Sequence, residues 1–224
     1  PHNSRWNWKA HGKWVDGEWT FTDKGAGPNG HVVHMLSSGA KVAYLYWERY
    51  QYTQDRKWLR ERAYPMLKGV AELFQFFPNL VLESDGKYHL HHVNNHEPVW
   101  GAQDTIEELA AMRGLLPLAI RAAELLEVDE IRRAEWEKIL VNLTPLPTND
   151  HPASLDPRKP GMPRLWVNGL KPHAWGDGTN RDYHTIAPAI HYDLCTLETQ
   201  DKKFRQIAND SFESLFPRGI HTQT

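Results

Sequence analysis

One short pattern returns along the chain and limits its possible folds more than any other. Thr53-Gln54-Asp55-Arg56-Lys57-Trp58 recurs as Thr199-Gln200-Asp201-Lys202-Lys203-Phe204, and between them Leu126-Glu127-Val128-Asp129-Glu130-Ile131 keeps an aspartate followed by a bulky apolar residue. Each aspartate stands where one helical pattern stops and another starts, and its side-chain oxygens suit the free N–H groups of a new helix. The three are about 70 to 75 residues apart, longer than the common solenoid repeats. Helical hairpins repeated at this spacing predict a ring, with inner helices lining a centre and outer helices packed around them. Three hairpins make only part of such a ring. Its edge helices would expose apolar faces unless further parts of the same polypeptide completed it.

The periods between the turns agree with this reading. Residues 1–30 carry Trp6, Trp8, Trp14 and Trp19 without a helical period, and Asp16-Gly17 reads as a tight turn between short strands. This irregular, tryptophan-rich segment is separated from a helical unit over 31–224. A first helix is expected from near His31, with Val32, Met35, Leu36, Val42, Ala43, Leu45, Tyr46 and Tyr50 inward and Ser37-Ser38-Gly39 small enough for close backbone approach. A second carries Trp58, Leu59, Ala63, Met66, Leu67, Val70, Leu73 and Phe74, with a kink expected at Pro65. Leu80-Val81-Leu82 and Tyr88-His89-Leu90 flank Ser84-Asp85-Gly86 as a β-hairpin. Asp104 with Glu107 reads as a capping box, and a helix follows to about Leu126. Asp129 opens another helix, 144–172 is a long proline-rich connection, and a last helix spans about Asp201 to Leu215.

The chemistry concentrates between the β-hairpin and the Asp104 helix. His91-His92-Val93-Asn94-Asn95-His96-Glu97-Pro98-Val99-Trp100-Gly101-Ala102-Gln103-Asp104 gathers acids, amides, imidazoles and an indole in one loop held by long elements on both sides. Glu97 suits a general acid in a sugar-binding cleft if burial beside Trp100 raises its pKa. Asn94, Asn95 and His96 offer donors and acceptors for sugar hydroxyls, and Trp100 and Trp47 offer flat faces for stacking. Asp104 serves as a helix cap or a further sugar contact. A metal is not expected, because His91 and His92 would point to opposite faces of a strand.

Composition narrows the classes. The formal net charge of −2, with acids and bases interspersed, gives no basic stripe for nucleic acid. No apolar run reaches the roughly 20 residues that cross a bilayer. The single cysteine, Cys195, excludes an internal disulfide. Ten tryptophans and thirteen histidines are the informative excess: flat indole faces stack on the apolar faces of sugars or bases, and tryptophan also fills cores between large helices.

The residues also resemble a family. Trp47-Glu48-Arg49-Tyr50 through Asp55, then Trp58-Leu59-Arg60-Glu61-Arg62-Ala63-Tyr64-Pro65-Met66-Leu67-Lys68, and the Glu97–Asp104 loop followed by Ala122-Ala123-Glu124-Leu125-Leu126 are similar to the catalytic domain of glycoside hydrolase family 95. The resemblance implies a mainly α fold, part of an (α/α)6 barrel, and cleavage of a terminal fucose- or galactose-like sugar from an oligosaccharide or polysaccharide by inversion. It implies no cofactor and an extracellular or periplasmic setting. Its general acid falls on Glu97, in Asn95-His96-Glu97 where the family has Ser-Pro-Glu. Its water-activating asparagines and partner aspartate have no match in the chain, so the 224 residues are expected to be inactive alone. Asn180-Arg181-Asp182-Tyr183-His184 is similar to an Arg/His-rich loop of the family, which makes Arg181 and His184 candidate sugar contacts.

Inversion needs a proton for the departing oxygen and a base that activates water across the ring, the two carboxyl groups standing roughly 6.5 to 9.5 Å apart. Two other classes fit the same toroid. One is a carbohydrate-binding scaffold without catalysis. The other is a polysaccharide lyase using Tyr183 or His184 to take a proton beside a sugar carboxylate.

Overall fold

The computed structural model describes residues 12–15, 18–21, 35–95, 99–154, 157–171, 173–174 and 181–216; of the strands at 12–15, 18–21 and 173–174 it describes the backbone. In chain order these form β1 (Gly12–Val15), β2 (Glu18–Phe21), α1 (Ser37–Thr53), α2 (Arg56–Trp58), a π-helical turn (Leu59–Ala63), α3 (Tyr64–Gln75), β3 (Leu80–Leu82), β4 (Tyr88–Leu90) and β5 (Val99–Trp100). Then come α4 (Ile106–Leu126), α5 (Glu130–Val141), β6 (His173–Ala174), a 3-10 turn (Tyr183–Ile186), α6 (Ala187–Ile190) and α7 (Lys202–Leu215). The architecture is mainly helical, with three antiparallel two-stranded pairs. β1 and β2 pair with Val15 opposite Glu18, while the turn residues Asp16 and Gly17, and the expected helix start at His31, lie outside the described residues.

The repeated turns explain how the hairpins form. Asp55 Oδ1 accepts the N–H groups of Lys57 and Trp58 at 2.9 and 3.0 Å. Asp201 Oδ1 accepts those of Lys203 and Phe204 at 2.9 and 3.0 Å. The outer recurrences are therefore caps of one geometry. The middle one is not, which corrects the sequence reading. Asp129 has a left-handed backbone, φ 53°, and makes no cap bond. Its carboxylate instead accepts from Lys68 Nζ at 2.8 Å and from the Tyr64 hydroxyl, and a charged donor outbids a neutral N–H. Asp129 thus ties the start of α5 to the start of α3.

The direction of each helix follows from such ties. Leu36 and Ser37 N–H groups, at the start of α1, donate to Glu108 in the first turn of α4. Just past the end of α1, Arg56 Nη2 donates to Leu125 O at the end of α4, 2.5 Å away. The two helices therefore run parallel. Outside them, Tyr64 meets Asp129 where α3 and α5 begin, and the Trp136 indole donates to Gln75 Oε1 at 2.9 Å towards their other ends. A parallel inner pair is backed by a parallel outer pair of opposite direction, as the hairpin ring requires. Pro65 sits at the start of α3, and the missing N–H is absorbed by the π turn before it, where Tyr64 N–H reaches back five residues to Leu59 O.

α4 is buried on nearly every side, and α1 buries Ser37, Ala40, Ala43, Trp47 and Tyr50. Val42 and Leu45, expected inward, are 43% and 62% exposed. The long connection is folded down firmly. Leu165, Trp166, Val167 and Leu170 are buried, Gln103 and Leu170 exchange two backbone bonds of 2.7 Å, and Trp166 N–H donates to Ser211 Oγ on α7 at 2.9 Å. At the other edge, α6 and α7 enclose an apolar groove of about 540 Å³ lined by Ile186, Ile190, Cys195, Leu197 and Phe212 among others.

The segment after α6 approaches α4 at Gly114, where a Cβ would lie 2.8 Å from Tyr192 Cβ. Only glycine admits that contact without movement. Gly114→Ala is expected to destabilise the protein by about 1 to 3 kcal/mol, measured as a lowered urea midpoint with unchanged slope. A neutral result would mean that Tyr192 is free to shift.

Candidate functional site

The chemistry-bearing loop is rooted in two asparagines whose side chains are buried. Asn94 Oδ1 accepts Gly101 N–H at 2.9 Å. Asn95, fully buried, donates its backbone N–H to Val99 O at 3.2 Å. Its Nδ2 donates to Asn168 Oδ1 at 3.1 Å, and its Oδ1 accepts Glu107 N–H at 3.0 Å. One amide therefore joins the loop, the long connection and the first turn of α4. Val93 and Ala102 close the loop with reciprocal bonds of 3.1 and 2.8 Å, and β5 pairs with β6, Val99 opposite Ala174 and Trp100 opposite His173. Asn94 and Asn95, candidate sugar contacts by sequence, are buried, and their amides bond to protein, as buried polar groups do. His96, Glu97 and Asn180 lie outside the described residues, as does the side chain of Trp100.

Asp104 is neither a cap nor an open contact. It is buried with φ 52°, and accepts from His89 Nδ1 at 2.7 Å, Leu90 N–H at 2.9 Å and Gln103 Nε2 at 3.2 Å. Burial lifts its pKa, and His89 and the other donors oppose that rise. Burial also works against charge on His89, but Asp104 first, then Asp85 and Glu83, outweigh it and raise the imidazole's pKa. Three donors thus converge on Asp104, and His89 bridges on to Asp85 at 3.2 Å. The residue that starts α4 is Thr105, one further on, which makes no cap bond to the backbone and instead gives its hydroxyl to Glu108 Oε2 at 2.7 Å.

Other expected contacts separate. Trp47 is in the core, its ring 5.3 Å from that of Tyr50, and presents no face for a sugar. Arg181 Nη1 donates to Ser214 Oγ at 3.4 Å. His184 N–H donates to Asp182 Oδ1 at 2.9 Å, its Nδ1 lies 3.0 Å from the same oxygen, and the Tyr183 ring lies 3.9 Å from the imidazole. His91 Nε2 lies 2.7 Å from Glu83. Among the described residues no group of three metal-ligating side chains converges.

Two buried carboxyls stand beside this loop, of which sequence reasoning took Glu107 only as part of a capping box and passed over Glu108. Glu108 Oε1 accepts the Leu36 and Ser37 N–H groups at 3.0 and 3.3 Å, capping α1 from another helix. Glu107 accepts from Lys41 Nζ at 2.8 Å and from Ser37 Oγ at 3.5 Å. Burial first, then the negative Glu107 beside it, pushes Glu108 up to about 8. Its Oε1 takes two N–H groups and its Oε2 accepts the Thr105 hydroxyl, bonds that favour the charged form and oppose the rise without cancelling it. Adjacent Glu107-Glu108 in the first turn of an otherwise apolar helix was the available signal, together with Thr105 three residues before Glu108.

These groups lie within the part of the chain that comparison identifies. A model of the glycosyl hydrolase family 95 catalytic domain matches residues 8–153, from the tryptophan-rich segment through α1, the Asn94–Asp104 loop, α4 and α5. The chain belongs to glycosyl hydrolase family 95. This family 95 domain is therefore that of a glycoside hydrolase, and its substrate is a carbohydrate. Comparison with curated proteins gives no match.

The buried acid makes a pH prediction. Glu108 titrates near 4.5 when unfolded and near 8 when folded, so between those values the native state holds a proton that the unfolded state has released. Stability then falls as pH rises through this window, by roughly 3 to 5 kcal/mol at most. Glu108→Gln, which cannot ionise and keeps a carbonyl acceptor for the Leu36 and Ser37 N–H groups, is expected to flatten that fall in thermal melts between pH 5 and 8. An equal slope in both proteins would place the titration elsewhere.

Proposed function

We propose that the domain removes a terminal fucose- or galactose-like sugar from an oligosaccharide with inversion, and that Glu97 is the general acid. The observation that carries this reading is the anchoring of its loop. Two residues before Glu97, Asn95 binds Val99 within its own loop and two separate segments at Asn168 and Glu107, and two residues after it β5 is paired to β6. An acid must be held within a fraction of an ångström of the departing oxygen, and a loop clamped on both sides supports that demand. The family assignment of residues 8–153 supports the glycosidic bond as the target.

The acid acts with a base on the opposite face of the sugar, for which we look to further parts of the same polypeptide. The apolar groove between α6 and α7 supports such a completion, because Leu197 and Phe212 stand open there. Residues 1–224 alone would on this reading show no turnover. An extracellular or periplasmic setting rests on the family resemblance, and surface fractionation of the native protein checks it.

Glu97→Gln in the full-length polypeptide is expected to lower kcat on an activated fucoside or galactoside by 100-fold or more, on the order of general-acid contributions, with little change in sugar binding. Undiminished turnover would remove Glu97 from the acid role. Sugar binding without turnover in the wild type would favour the scaffold reading. Release of an unsaturated uronate would favour the lyase.

A further inference from the structure

A second concave surface lies near the Asn95 loop. Between α1 and the segment after α6 lies a hollow of about 320 Å³, lined by Lys41, Tyr44, Leu45, Glu48, Ile190, His191 and Asp193. Lys41 is four residues into α1, so the hollow begins only about 6 Å below the end where the loop sits. Glu107 spans the interval: its backbone N–H is held by Asn95 and its carboxylate by Lys41.

We infer that this hollow is a subsite for a neutral sugar ring, with Lys41, Glu48 and His191 facing its hydroxyls and Leu45 and Ile190 its apolar face. The inference rests on the hydrolase reading above and names the chemistry of a sugar that the same protein would hold. The volume suits one pyranose and lies at the lower end of ordinary ligand pockets. Its polar groups are already set. Lys41 is fixed by Glu107 at 2.8 Å, and the Tyr44 hydroxyl donates to Asp193 Oδ2 at 2.8 Å. Burial first, and then the Lys41 charge, lowers the pKa of His191, which leaves a neutral ring able to donate and accept. Leu45 and Ile190 are both more than half exposed, an apolar surface of the kind a sugar face covers.

The local charge selects among sugars. One cation, Lys41, stands among Glu107, Glu48 and Asp193, so the hollow carries a net negative charge and Lys41 is spoken for. A carboxylated or phosphorylated sugar would meet repulsion there, whereas neutral hydroxyls meet donors and acceptors of both kinds.

The test is saturation-transfer NMR and calorimetric titration of the full-length protein with fucose, galactose and galacturonate. Fucose or galactose should bind and galacturonate should not. Leu45→Glu, at an exposed position of α1, should replace the apolar wall with a charge, and His191→Ala should remove one polar wall. Each is expected to weaken neutral-sugar binding roughly tenfold or more, while Glu97→Gln leaves binding intact and lowers turnover. Neutral-sugar binding unchanged in both hollow variants, galacturonate bound in preference, or no sugar bound at all would overturn the subsite. Binding lost in the hollow variants with no turnover in any protein would leave the subsite standing and remove the hydrolase reading alone.

Discussion

Two inner helices begin at the same place, and their N-termini have to be satisfied without water. Each leaves its first N–H groups unpaired and carries partial positive charge. Glu108 answers for α1, which has no side-chain cap of its own, while sitting in the first turn of α4. Asn95 answers for Glu107 N–H, and the Asn168 carbonyl for Ile106 N–H at 3.0 Å. The end of the bundle where the family's loop lies is therefore knitted by side chains from three distant stretches. Buried polar groups of this kind stabilise little on balance, but each enforces one arrangement, because any other leaves a donor or acceptor stranded.

Neighbouring glutamates at that end hold unlike charges for a physical reason. Glu107 keeps a cation within 2.8 Å and can remain an anion. Among the described residues no cation pairs with Glu108, which is wholly buried and feels Glu107 as an adjacent negative charge. The cheaper arrangement is one ionised carboxyl and one protonated carboxyl. The Thr105 hydroxyl donates to Glu108 and so ties the residue before α4 to its first turn.

The hairpins were legible because their signals are local. Asp55 and Asp201 lie directly before the amides they cap, and the β3–β4 turn announces itself in Ser84-Asp85-Gly86, where Gly86 takes φ 77° and Lys87 N–H donates to Asp85. Asp129 looked the same in sequence and differs in the fold because Lys68 and Tyr64, more than sixty positions away, compete for it. The faces of α1 were misread for a similar reason. Val42 and Leu45 are apolar by composition, but inwardness in a ring is set by neighbours, and the small side chains of Ala40 and Ala43 are the ones that let α1 lie close to its partners. The candidate site was legible as a stretch and not as a set of roles. Asn94 and Asn95 read as turn residues or sugar contacts, and nothing local shows that Asn168, seventy-three positions on, takes up the Asn95 amide.

The loop and the hollow are not independent features of this end of the molecule. Glu107 binds the root of the loop through its backbone and Lys41 through its side chain, so a displacement of Asn95 is felt one turn down α1. The connection is short, buried and made of charge-assisted or amide hydrogen bonds, which deform less readily than apolar contacts. Seating of a sugar against Lys41 would therefore bear on the same helix turn that anchors the loop. Such an arrangement converts binding energy at a non-reacting part of the substrate into orientation of the reacting part, which is how remote contacts contribute to the rate of a chemical step.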